Sequence, residues 1–226
     1  MKNPIKLSFK SEWFSVLLLL IIFISSFYFY LHFPDQVPSH WNIRGEVDGY
    51  SSRLGASILI PLMTLGMYLM FLFLPYLDPK KEQYAKFTPT YHFFKNAIVA
   101  FFFILYFLTG LNGLGYKMDI GFYVPIMIGI LFIAIGFMMK RLKTNWFMGI
   151  RTPWTMSSEV VWEKTSRFGS YLFTLSGILM AATVLFKDKG KIILFVLAIF
   201  LTALVIPAAS YFFYYQETKK VQKNEK

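Results

Sequence analysis

The segment NWFMGIRTPWTMSSEVVWEKTSRFGS, residues 145–170, is the longest polar stretch of the chain and lies between two apolar runs. It holds three of the five tryptophans. The rest of the chain consists of long apolar runs and short connectors, except for a second polar stretch at residues 34–53. We name residues 145–170 the motif segment and residues 34–53 the outward loop. This pattern predicts a membrane protein whose specific features lie in these two segments.

The composition is that of a chain that spans a bilayer. Of the 226 residues, 56% are hydrophobic and only 15% are charged, against about 25% charged residues in globular domains. The apolar residues fall into uncharged runs of about 18 or more, which is the length of a membrane-spanning helix. There is no cysteine, so disulfides, thiolate catalysis and cysteine-ligated metals are excluded.

These runs predict an all-α fold, a polytopic membrane helix bundle with six transmembrane helices at residues 13–33, 54–75, 96–116, 122–139, 168–186 and 192–213. The side that holds both termini carries 17 of the lysines and arginines, and the other side carries 6. By the positive-inside rule, both termini and the motif segment are cytoplasmic, and the outward loop faces outside the plasma membrane. The same rule accounts for the net charge of +11 without direct nucleic-acid binding.

The predicted spans are uniformly apolar in their middles. None has an ionisable side chain there, and ion-coupled transporters normally need such groups as relays. Small residues follow one face of the fourth and fifth spans, and they predict that these two helices contact each other directly. They are Gly129 and Gly136 on the fourth span, and Ser170, Thr174, Gly177 and Ala181 on the fifth.

The outward loop contains more polar variety than a connector needs. Asp35, His40, Glu46 and Asp48 raise the hypothesis of a metal site, but a single histidine without recurrent ligand spacing is weak support. His40 with Asp48 also has the residue types for acid–base catalysis. The favoured interpretation is a folded cap on the span ends, with Trp41 at the membrane interface, which is compatible with binding an extracellular peptide. We expect no metal, no cofactor and no enzymatic activity.

The motif segment contains a turn followed by a helix start. Gly149 permits a tight turn, and Thr152 with Pro153 is typical of a helix N-terminus. We predict a short amphipathic helix over residues 153–168 on the cytoplasmic membrane surface, before the fifth span. Trp146, Trp154 and Trp162 would then lie in the headgroup layer. Two interpretations stay open: a structural surface helix whose neighbour Arg151 binds helix carbonyls or lipid phosphate, or a protein-binding site.

Together the two segments resemble a known family. The run GIRTPWT at residues 149–155, preceded by Asn145, is similar to the SdpI family of bacterial membrane proteins. The outward loop resembles the uncharacterised domain that commonly precedes the SdpI domain. This resemblance divides the chain into a two-span unit at residues 13–75, a four-span SdpI-like unit at 95–213 with its motif loop at 140–170, and a basic tail at 214–226. Relatives often have histidine where this chain has Ser166.

The resemblance implies an integral membrane immunity protein that gives resistance to a secreted killing peptide. It also implies signalling through a cytoplasmic transcriptional repressor held at the membrane. The alternatives are a small-molecule transporter or exporter, and an orphan membrane protein of envelope stress. The cytoplasmic candidate residues are Asn145, Gly149, Arg151, Thr152, Thr155, Trp162, Thr165 and Arg167. The candidate residues of the outward loop are Pro38, His40, Trp41, Asn42, Gly45, Asp48 and Tyr50.

Overall fold

The computed structural model describes residues 4–5 and 7–224. Within them, six helices are long and apolar enough to cross a membrane, which confirms the predicted polytopic helix bundle. Large apolar side chains such as Ile24, Leu59, Ile130 and Ile193 are exposed along these helices. An exterior of this kind suits contact with lipid rather than with water.

The elements follow in chain order. They are α1 (Phe9–His32), β1 (Gln36–Trp41), β2 (Val47–Ser52), α2 (Arg53–Leu77), a 3-10 helix (Lys81–Lys86), α3 (Thr88–Gly113), α4 (Ile120–Met139), α5 (Pro153–Ser157), α6 (Glu159–Ala182), a second 3-10 helix (Thr183–Leu185), α7 (Asp188–Phe200), a π-helical turn (Leu201–Val205) and α8 (Ile206–Asn224). The last three form one long helix. We call the end of the bundle that carries β1 and β2 the hairpin end, and the end that carries α5 the junction end.

The outward loop is an antiparallel β-hairpin, a feature that the all-α prediction did not include. Gln36 pairs with Ser52 and Trp41 with Val47, and the register shifts near His40. At the tip, the Asn42 side-chain oxygen accepts hydrogen bonds from the backbone N–H groups of Arg44 and Glu46, at 2.8 and 3.1 Å. These two bonds satisfy turn donors that would otherwise have no partner in the hairpin.

The predicted contact between the fourth and fifth spans is confirmed. Helices α4 and α6 approach so closely that a Cβ added to Gly129 would lie 2.5 Å from the Gly177 carbonyl oxygen and 2.9 Å from Ala181 Cβ. A Cβ on Gly136 would lie 2.8 Å from the Ser170 carbonyl oxygen. Because these glycines have no side chain, the backbones of α4 and α6 can approach each other closely.

The predicted amphipathic helix over residues 153–168 is wrong in its bounds and in its position. The chain breaks at Ser158, whose backbone is extended and whose hydroxyl accepts from the Val161 N–H at 3.3 Å as the N-cap of α6. The helix that contains the fifth span therefore begins at Glu159, not at residue 168. Val161 and Trp162 are fully buried, so they do not lie on a membrane surface. The physical reason is a second capping residue six positions after the first cap, Thr152.

Many of the buried apolar side chains fall into two clusters. One lies at the junction end and includes Phe71, Tyr84, Tyr91 and Trp162. The other lies among α1, α2, α3 and the hairpin, and includes Ile22, Phe29, Val37 and Tyr106. The motif segment therefore belongs to one core, and the hairpin belongs to the other.

Candidate functional site

Asn145 closes a turn at the start of the motif segment. Its fully buried side-chain oxygen accepts from the N–H groups of Phe147 and Met148 at 2.9 and 2.6 Å. Its amide nitrogen donates to the carbonyl oxygens of Lys143 and Met148 at 2.9 and 3.0 Å. Only a carboxamide supplies both acceptor and donor in this geometry, which explains why the motif begins with asparagine.

Gly149 and Trp162 form one packing unit. Gly149 has φ +100°, and a Cβ at this position would lie 3.2 Å from the Trp162 ring. The Trp162 side chain is 1% exposed, and its Nε1–H donates to the Leu142 carbonyl oxygen at 2.9 Å. The indole thus packs against the inner side of the turn. The prediction that Trp162 lies in the headgroup layer is therefore wrong, because its side chain is buried in the protein.

Thr152 and Thr155 cap α5 and attach it to the last helix. Each threonine hydroxyl accepts from the other residue's N–H, at 3.2 and 2.9 Å, which is a capping box. The Thr155 hydroxyl also donates to the Ile150 carbonyl oxygen at 2.8 Å. The Thr152 and Ser210 hydroxyls lie 3.0 Å apart. This places the helix start predicted from Thr152 and Pro153 directly against α8.

The remaining motif residues divide into exposed and buried ones. Arg151 is exposed and donates from Nη1 to the Trp146 carbonyl oxygen at 2.6 Å, so it stabilises the segment's own turn rather than a helix terminus. Arg167 is also exposed. Thr165 is fully buried, and its hydroxyl has no hydrogen-bond partner among the described residues. The motif segment therefore combines a buried framework with exposed charged side chains, which include Arg151 and Arg167.

Asp78 is a residue of this site that the sequence reasoning missed. It is 2% exposed and lies in the connector after α2. Its Oδ2 accepts from the Tyr84 hydroxyl at 2.8 Å and from the Trp146 N–H at 2.9 Å. Burial and the adjacent Asp78 carboxylate raise the pKa of Tyr84 far above its usual range, so the phenol stays a donor. A single aspartate in a short connector gave no signal of this role.

A second missed cluster joins the first three helices near the junction end. Glu12 of α1 accepts from the ammonium group of Lys95 on α3 and from the hydroxyl of Tyr68 on α2, the latter at 2.9 Å. Lys95 is 1% exposed. His92 Nδ1 lies 3.8 Å from Glu12 Oε1. Glu12 and Lys95 lie just outside the spans predicted from the sequence, but α1 and α3 begin earlier and contain them.

The hairpin presents most of its candidate residues to the surroundings. His40 Nδ1 and Asp48 Oδ1 are 2.5 Å apart, and the His40 side chain is 73% exposed. Tyr50 is 61% exposed, whereas Pro38 and Trp41 are partly buried. Among the residues that the structure describes, no three His, Asp or Glu side chains are placed to hold a metal ion. An exposed pair of this kind suits surface recognition better than catalysis, which needs desolvated groups.

The hairpin tip docks on the second half of the chain. A Cβ on Gly121 of α4 would lie 2.9 Å from Gly45 Cα, so the two glycine backbones touch. At the hairpin base, Arg53 Nη2 donates to Asp35 Oδ1 at 2.9 Å. The predicted cap on the span ends is therefore present as a docked hairpin. The two sets of candidate residues stay apart, because they lie at opposite ends of the bundle.

Six apolar helices and two polar ends define a multi-pass membrane protein. Residues 141–210 match the SdpI/YfhL protein family, and residues 17–65 match a domain of unknown function, DUF1648. The chain is 28% identical over 205 residues to the Immunity protein SdpI of Bacillus subtilis (strain 168), which covers 91% of this chain and 96% of that protein. No solved structure matches it. The family resemblance predicted from the two motifs is confirmed.

Proposed function

We propose that this membrane protein is an immunity protein that gives resistance to a secreted killing peptide. The observation that carries the proposal is the match to the immunity protein of Bacillus subtilis over nearly the full length of both chains. The two matched segments contain all the candidate residues of the hairpin and of the junction. The division into a two-span unit, a four-span unit and a basic tail is part of the same proposal.

In this proposal the hairpin end faces outside and both termini are cytoplasmic. The support is the distribution of lysine and arginine between the two ends. The exposed face of the hairpin, with His40, Asp48 and Tyr50, then meets the killing peptide. The hairpin backbone is held at its tip by the hydrogen bonds to Asn42 and by the contact of Gly45 with α4. Peptide binding would therefore cost the hairpin little conformational entropy.

The test is survival of a sensitive bacterium that expresses the protein during challenge with membrane-active killing peptides. Tyr50→Ala removes an exposed aromatic side chain, and such side chains often dominate binding, at about 2 kcal/mol or more. We expect protection to fall about tenfold or more. The matched control is Tyr116→Ala, because Tyr116 is 62% exposed at the same end but outside the hairpin. Equal loss in both variants, or in neither, would remove the hairpin from peptide recognition.

We propose a second step, which takes place at the junction end and rests on the family resemblance alone. A peptide bound outside changes the inward surface only if it binds two conformations with different affinity. The exposed basic residues Arg151 and Arg167 would then hold a cytoplasmic transcriptional repressor. Transcription of the protein's own gene would rise on peptide challenge. Unchanged transcript levels in cells that remain protected would refute this step while leaving immunity intact.

A further inference from the structure

A cavity of about 340 Å³ lies at the hairpin end, between the hairpin tip and helices α4, α6 and α7. Trp41 and Ile43 of the tip line the cavity. Val124 and Ile128 of α4 and Phe195 of α7 line it as well. The size falls within the range of ligand sites, about 300–1,000 Å³. Because the cavity lies beside the Gly45–Gly121 contact, an occupant would touch both halves of the chain.

The lining is almost entirely apolar, and its one charged side chain is Lys191. Among the described residues, no carboxylate lies within ion-pair distance of the Lys191 ammonium group. Lys187, Asp188 and Lys189 lie at the same helix start and are exposed, so the charge there is positive by one. An apolar cleft with one unpaired cation at its edge fits a molecule that has a hydrocarbon part and an anionic group.

We propose that this cavity binds an anionic phospholipid, with the phosphate at Lys191 and an acyl chain between α4 and α7. Phe195 is 47% exposed and Ile193 is 64% exposed on α7, so the cavity adjoins a lipid-facing surface and a lipid can enter sideways from the bilayer. Lysine acts as a point charge toward phosphate, and lysines near a membrane surface attract anionic lipid.

This proposal is separate from the immunity function. A lipid bound in the cavity would be a structural component of the contact between the two halves of the chain. The acyl chain would lie against Ile43 and Val124 at once, and so would bury apolar surface of the hairpin tip and of α4 together. The bound lipid would therefore stabilise the docked hairpin in addition to the close approach of Gly45 and Gly121.

The test is lipid titration of the purified full-length protein in a neutral detergent, read by native mass spectrometry. The probes are palmitoyl-oleoyl phosphatidylglycerol and palmitoyl-oleoyl phosphatidylcholine. We expect the wild type to retain one phosphatidylglycerol in preference to phosphatidylcholine. Lys191→Gln should bind phosphatidylglycerol about fivefold more weakly. Lys189→Gln, on the same helix but outside the cavity, should bind as the wild type does.

A second variant tests the acyl part of the site. Val124→Phe places a larger side chain in the cavity and leaves Lys191 unchanged, so it should weaken the binding of both lipids. The proposal is overturned if the wild type binds the two lipids equally, or if Lys191→Gln binds phosphatidylglycerol as tightly as the wild type. It is also overturned if Lys191→Gln loses protection in cells while lipid binding is unchanged, because the occupant would then be the killing peptide.

Discussion

At the scale of single residues, the motif segment is held in its conformation by side chains that other residue types could not replace in the same contacts. Asn145 makes four hydrogen bonds to the backbone around it. Gly149 adopts a positive φ beside the Trp162 ring, whose Nε1–H donates to the Leu142 carbonyl oxygen. Most of the motif therefore builds the turn itself, and among its candidate residues the two whose side chains are exposed to a partner are Arg151 and Arg167.

The first prediction concerns Gly149. An alanine at this position would lower the free energy of unfolding by about 1–2 kcal/mol because of its left-handed backbone. Its Cβ would also lie too close to the Trp162 ring. Gly149→Ala should therefore lower the melting temperature in detergent more than Gly115→Ala does. Gly115 is the matched control because its φ is +92° and nothing lies within 4 Å of an added Cβ. Equal losses in the two variants would show that the contact with Trp162 contributes nothing.

At the scale of secondary-structure elements, three kinds of contact hold the helices together. Helices α4 and α6 meet through backbone surfaces at Gly129 and Gly177. Helices α1, α2 and α3 meet through the polar cluster of Glu12, Tyr68 and Lys95. Helix α5 is fastened to α8 through Thr152 and Ser210. The polar cluster is the costliest to disturb, because it is charged and buried.

The second prediction separates the charge from the packing in that cluster. Lys95→Met leaves the Glu12 carboxylate without its cation, and loss of one partner of a buried pair costs about 3 kcal/mol or more. The double variant Glu12→Gln with Lys95→Met should recover to within about 1 kcal/mol of the wild type, since a buried pair is often replaceable as a unit. Thermal unfolding of the purified proteins measures both.

The exposed pair Lys143–Glu163 is the control for this prediction. Its ammonium and carboxylate are 2.8 Å apart, but the side chains are 45% and 65% exposed. Because solvent screens such a pair, Lys143→Met should cost less than about 1 kcal/mol. If Lys95→Met costs no more than Lys143→Met, or if the double variant is as unstable as the single one, the cluster does not act as a buried ion pair.

The elements also show what could be read from the sequence. Apolar runs predicted the six spans, and small residues predicted the contact of α4 with α6, because both signals are periodic and local. The hairpin was missed because prolines at 34 and 38 weaken a strand pattern of only a few residues. The burial of Trp162 was missed because it depends on the core of Tyr84 and Tyr91, which is distant in sequence. The break at Ser158 was missed although its cause is local, a second N-cap residue shortly after Thr152.

At the scale of the whole molecule, the chain has two polar ends with different architectures. The hairpin end is a rigid β-structure that belongs to the first half and docks on the second through Gly45 and Gly121. The junction end is tied together by Asp78, which connects the first half to the motif segment through the Trp146 N–H. Both ends thus contain a contact between the two halves.

The third prediction is the orientation of these ends. The chain contains no cysteine, so single cysteines report topology without a background. A membrane-impermeant maleimide should label Glu46→Cys in intact spheroplasts, and should label Ser157→Cys only after permeabilisation. Both positions are exposed in the structure, so access depends on the membrane alone. The opposite labelling pattern would reverse the proposed topology and place both termini outside.

The most direct measurement of the central claim is survival of a sensitive bacterium that expresses the protein, challenged with a panel of membrane-active killing peptides. We predict that the wild type protects against at least one peptide. A variant with Gly149→Leu and Arg151→Ala, confirmed to be in the membrane, should not protect, because it loses the turn and its exposed cation together. Absence of protection by the wild type across the panel, at normal membrane levels, would contradict the immunity function.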